Sequence, residues 1–119
     1  MPDTNLKIKV VANGKEIVFA LNDTSVSRSF YAQLPLTVAV ENYSNNEKIF
    51  QPPKKLVGKA QEGACPVGTI AYFSPWNNVC MYYGDMSRYS GLYVMGKAVS
   101  GTEQIRNIKG KVKIEAVGQ

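Results

Sequence analysis

Apolar and polar positions alternate strictly near both ends of the chain. Leu6, Ile8 and Val10 are separated by Lys7 and Lys9, the two-residue period of a strand with one face buried and the other wet. Asn13-Gly14 follows, a dipeptide that supplies the two positive-φ residues of a type I′ turn, and Ile17, Phe19 and Leu21 resume the alternation on a return strand. Leu36, Val38 and Val40 predict a third strand running towards Tyr43. Near the far end Val112, Ile114 and Ala116 are expected to face in, and Lys111, Lys113 and Glu115 out. The period changes once in the first half. Asn22-Asp23-Thr24 offers helix N-cap oxygens, and Val26, Phe30 and Leu34 recur at i, i+4, i+8 on one helical stripe. Three serines weaken that helix, so packing of the stripe must hold it, and Pro35 ends it.

From residue 43 to residue 68 the pattern dissolves into Asn, Ser, Gly and Pro, with Lys48-Ile49-Phe50 and Leu56-Val57 as short strand candidates. A loop this long in a small fold often carries function. Residues 69–73 form a strand stopped by Ser74-Pro75. The stretch 79–101 organises the rest. Its two apolar runs, 79–83 and 92–99, are joined by a polar, turn-rich link. The second run has β-formers on both faces, so both faces are covered, and Gly96 marks a bulge or bend that suits a curling strand. Ile105 and Ile108 then space a turn or two of helix. Seven or eight short strands and two short helices give a mainly β fold, a closed barrel or a sandwich.

A length of 119 residues allows one domain, 1–119, with a core that needs no staples. No apolar run approaches the roughly 20 residues of a membrane span. Residues 1–5 have neither the basic nor the apolar region of a signal peptide, so a cytoplasmic location is expected. The chain carries a net charge of +5 and no histidine. That absence removes Ser-His-Asp and Cys-His nucleophilic arrangements and the commonest zinc ligand. Cys65 and Cys80 have no metal-binding spacing and are expected as two buried or half-buried thiols. No metal and no cofactor are expected.

Several local phrases resemble the cyclophilins. These are residues 17–34, the run 94–101 followed by Glu103 and Ile105, and the strand 69–73 with Trp76-Asn77-Asn78 after it. Over nearly its full length the chain is more similar still to the small stand-alone bacterial and archaeal cyclophilin-like proteins. The shared features are Asn13-Gly14-Lys15, Leu34-Pro35-Leu36, Glu47-Lys48-Ile49-Phe50, Pro75-Trp76, Tyr83-Gly84-Asp85 and Gly91-Leu92-Tyr93. The resemblance implies a closed eight-stranded β-barrel with two short capping helices.

It also poses the question of proline isomerisation, which in cyclophilins rests on an arginine that hydrogen-bonds the prolyl amide. A donor is needed because the amide must lose conjugation against a barrier of about 18–20 kcal/mol. Residues 36–55, where the resemblance places that arginine, contain none. Lys48 is the nearest cation and lacks the guanidinium fork. Arg28, Arg88 and Arg106 lie elsewhere, and the pocket histidine has no counterpart.

Aromatic residues in or beside the strands that flank the cyclophilin groove do survive. Trp76, Tyr83, Tyr89 and Tyr93 are expected to hold a small molecule or peptide, with Asp85 as a polar contact; Trp76 and Tyr89 are the strongest candidates, being on loops. Tyr72, Phe73 and Met81 are expected in the barrel core, and Asp85 on its own reads as a turn residue. Glu47 and Lys48 read as a loop ion pair of little worth. Lys7, Lys9, Lys111 and Lys113 form a basic ribbon without interleaved aromatics, and alternating lysines also guard a strand edge, so nucleic acid is not an expected partner. The expected role is a ligand-binding module without recognisable isomerase chemistry. The alternative is a weak peptidyl-prolyl isomerase using another donor, a tyrosine or Asn77.

Overall fold

The computed structural model describes residues 6–117. β1 (Lys7–Ala12) and β2 (Lys15–Leu21) form the predicted hairpin, with Asn13 at φ 51° and Gly14 at φ 80° in its turn. Helix α1 (Ser25–Tyr31) follows, capped by Thr24, whose side chain accepts from the Ser27 amide at 3.2 Å. β3 (Leu36–Tyr43), β4 (Glu47–Phe50), β5 (Thr69–Phe73) and β6 (Asn78–Tyr82) come next, the last two separated by a 3₁₀ turn over Ser74–Trp76. β7 (Leu92–Ser100), a 3₁₀ helix (Thr102–Asn107) and β8 (Gly110–Ala116) complete the order. The strands close in the order β1-β2-β7-β5-β6-β4-β3-β8, every pairing antiparallel. The fold is a closed eight-stranded barrel with two short helical pieces against it. Closure gives every strand two neighbours, although β3 bonds β8 over residues 36–40 and β4 only over 41–43.

Alternation dictates the interior. Ile8, Val10, Ile17, Phe19, Ile70, Tyr72, Val79, Met81, Met95, Val112 and Ile114 fill it, and Val26 and Phe30 of α1 cover one end. Ile105 of the 3₁₀ helix is buried in the same cluster. The helix serines also tie the helix to its surroundings. Ser27 donates to Asn22 Oδ1 at 2.6 Å, while Ser25 and Ser29 accept from the amides of Lys59 and Val57 in the long loop. α1 ends at Tyr31, short of the expected Leu34, which packs against the core from beyond the helix.

β7 carries the expected irregularity beside Gly96. Ile70 pairs with Gly96 but Ala71 pairs with Val94, so Met95 is an extra residue pushed into the barrel. A second shift lies where Phe19 pairs with Ala98 and Val18 with Ser100. A Cβ on Gly96 would lie 2.1 Å from the Ala20 carbonyl oxygen, so the strands approach there as only glycine permits.

Three expectations change. Leu56-Val57 is not a strand; Leu56 is buried with its amide donating to the Tyr72 hydroxyl at 3.2 Å, and Val57 is exposed. Ala116 is exposed at the last residue of β8 rather than inward. Glu47 and Lys48 are not a loop ion pair. They lie in β4 on opposite faces, and both are largely buried.

Candidate functional site

The run of apolar residues on both faces of β5, β6 and β7 has a structural consequence. Their inner residues fill the barrel, and their outer residues Ala71, Cys80, Tyr82 and Leu92 build a second cluster with Cys65 of the loop before β5. Ile49, Phe73, Met86 and Val94 pack against it. Two segments of the chain lie over this outer face. Cys65 and Met86 exchange backbone hydrogen bonds of 2.7 and 2.9 Å, and Asp85 accepts from the Val67 amide at 3.2 Å. Glu62 accepts from the Gly91 amide at 2.9 Å and pairs with Arg88 at 3.5 Å.

This cover is incomplete, and the gap is a cleft of about 150 Å³. Its rim is aromatic. Trp76 meets Phe73 edge-on at 5.4 Å between ring centroids and Tyr43 edge-on at 5.8 Å; Tyr89 tilts against Phe73 at 5.7 Å. Trp76 and Tyr89 are 53% and 55% exposed despite these contacts. Deeper in, the lining comprises Glu47 and Ile49 of β4, Cys80 and Tyr82 of β6, Met86 and Leu92. Wider and more polar, a depression of about 570 Å³ between β3 and residues 49–53 shares Ile49 and Asn78 with the cleft.

Glu47 is the one acidic group in this lining and is 7% exposed. Burial holds its carboxyl above the usual range, against the opposing pull of the Cys80 thiol and Tyr82 hydroxyl beside it. Burial likewise pushes the Cys65 thiol up to about 11, and the nearby Glu47 charge adds to it. Cys80 and Tyr82 are raised further for the same first reason. Among the described residues, no ion pair involves Glu47. Both cysteines are free and buried, as expected. Among the described residues there is no group of three or more Cys, Asp or Glu placed to hold a metal ion.

The five residues expected to form one groove are not on one surface. Trp76 and Tyr89 meet in the cleft. Tyr83 sits on the barrel side, its hydroxyl donating to Asn42 Oδ1 at 2.7 Å and its ring near Lys48 Nζ and Arg106 at 5.7 and 5.5 Å. Tyr93 packs against the barrel core opposite Tyr72. Asp85 is taken up in tying the two covering segments together. Phe73, expected in the core with Tyr72 and Met81, stands apart from them as a cleft wall. Sequence reasoning missed Tyr43, Glu47 and Met86. For Glu47 a signal existed: it alternates with Ile49, which marks both as sharing a face.

Residues 10–116 match the Cyclophilin-like family. No curated protein matches the chain. Among solved structures, the solution structure of a hypothetical protein from Archaeoglobus fulgidus superposes with a TM-score of 0.76, covering 98% of each chain at 15% identity. At that identity the likeness is one of fold.

Proposed function

The chain belongs to the Cyclophilin-like family, and from that premise we propose that it is a binding module that takes a small organic molecule into the aromatic cleft. The observation that carries this is the exposure of Trp76, Tyr89 and Tyr43, 44% to 55%, around a concave and mostly apolar floor. Large aromatics left half in water around a hollow are where ligand contact area is gained at low entropic cost. Volume favours a compact ligand: about 150 Å³ accommodates a group about the size of a benzene ring. The adjoining depression leaves room for the remainder of a larger molecule.

Isomerase chemistry has less support. No arginine lines the cleft. Asn77, the other expected donor, already accepts from the Tyr72 hydroxyl at 2.7 Å and donates to the Pro52 carbonyl at 3.4 Å. We place the protein in the cytoplasm, in keeping with two free buried thiols. Among the described residues no helix is long and apolar enough to cross a membrane.

The chain's one tryptophan, Trp76, is a built-in reporter. A fragment library screened by its fluorescence and by NMR should return ligands that shift Trp76, Tyr89 and Phe73 together. Trp76→Leu and Tyr89→Ala should each weaken them about tenfold. Ligands that shift only residues outside the cleft, with affinities untouched by both substitutions, would overturn this reading.

A further inference from the structure

We propose that the cleft selects a small alkylammonium ion, its head held among Phe73, Trp76, Tyr89 and Tyr43 with Glu47 as counter-charge. The inference rests on the reading of the cleft as the ligand site and adds the charge of what it takes.

Ring orientation is the first argument. The interplanar angles of 77° and 82° at Trp76, and 57° between Phe73 and Tyr89, turn the ring planes in different directions. Such walls form a box rather than a slot for a flat ring, and the negative face of each π-system attracts a cation. Charge is the second. A chain of net charge +5 lines this cleft with no lysine or arginine and with one carboxylate. The titratable groups beside Glu47 are Tyr43, its partner on β3, Cys80 and Tyr82 of β6, and Cys65 of the covering segment. Burial keeps Cys65, Cys80 and Tyr82 neutral at neutral pH, and among the described residues no cation pairs with the carboxylate. Lys48, next to it in sequence, points the other way towards Tyr83. Size is the third: about 150 Å³ suits a quaternary ammonium head.

Binding should therefore be linked to protons. A bound cation favours the ionised carboxyl, whereas burial favours the neutral one, so affinity rises with pH through the raised titration of Glu47 and then levels.

The test is an NMR titration with choline and with dimethylbutanol, its uncharged carbon isostere, at pH 5 and pH 8. The proteins are the native chain, Glu47→Gln and Trp76→Leu. At pH 8 choline should bind the native chain about tenfold more tightly than the isostere. It should weaken at pH 5, lose most of that preference in Glu47→Gln, and bind poorly to Trp76→Leu. Equal binding of both probes at Trp76 and Tyr89, or an undiminished preference in Glu47→Gln, would overturn charge selection by Glu47 and leave the cleft as a ligand site. Failure of both probes to move any cleft resonance at tens of millimolar would overturn the cleft reading as well.

Discussion

Glu47 sits where a carboxyl costs the fold stability unless something compensates. Burial raises its pKa, so the folded chain holds this proton more tightly than the unfolded chain does. The resulting stabilisation is complete below the unfolded carboxylate range and is lost as pH rises through the folded value. Glu47→Gln keeps the shape and removes the titration. Urea midpoints of the native chain should therefore fall relative to Glu47→Gln from about pH 4 upwards and then run parallel. A difference independent of pH would show that Glu47 titrates alike folded and unfolded. The thiols beside it should be quiet for a related reason. With Cys65 pushed up to about 11 and Cys80 higher, iodoacetamide at pH 8 should label the folded chain on the order of a hundredfold more slowly than free cysteine. In concentrated urea both should react at the ordinary rate.

Among the elements, β7 shows how one strand serves two clusters. Met95 fills the barrel, Leu92 belongs to the outer cluster, and Gly96 lets β2 come close enough to bond. Gly96→Ala would drive a methyl against the Ala20 backbone, which cannot retreat without opening the β2–β7 pairing. The expected loss is about 3 kcal/mol by denaturant titration. Gly14→Ala is the control: its φ is positive, 80°, unlike that of Gly96, but nothing lies within 4 Å of the added methyl. It should cost about 1 kcal/mol, the conformational strain alone. If the two cost the same, close approach is not what Gly96 provides.

This contrast also bounds what the sequence could reveal. The hairpin and strands β3 and β8 were legible because their outer faces are wet and alternate with lysine, threonine or glutamate. β5 and β6 were legible as strands, but not by face. TIAYF and NVCMY are buried on both sides, so period two gives no sign of which residues fill the barrel and which face the cleft. That is why Phe73 was expected inside and Tyr83 and Tyr93 outside, when the alternation runs the other way. Trp76 and Tyr89 were legible because they lie off the strands, where no alternation is needed to infer exposure. For Glu47 the signal was faint: it alternates with Ile49, but at the start of a four-residue strand inside a loop-like stretch.

At the scale of the whole molecule, closure decides which surfaces can work. Every strand has a neighbour on both sides, so unpaired main chain is confined to short stretches such as residues 36–40 of β3 on the side towards β4. The basic ribbon on β1 and β8 is interrupted, because Glu115 stands opposite Lys9 and lies 4.0 Å from Lys113. Without aromatics between the lysines, a single-stranded oligonucleotide should bind only weakly, and anisotropy should return to baseline near physiological salt. What is left is the cleft on the outer face of β4, β6, β5 and β7, whose lining includes no arginine to draw density from a prolyl nitrogen. Cis/trans exchange in an Ala-Pro peptide, followed by NMR so that no coupling protease intrudes, should proceed at its uncatalysed rate at micromolar protein. Excess choline should leave that rate unchanged while shifting Trp76. Acceleration that choline suppresses would reverse the assignment: the same cleft would then be catalytic, and its donor would have to come from the lining, where the Trp76 indole N–H, Asn78, Tyr82, the Cys80 thiol and protonated Glu47 join the rim tyrosines.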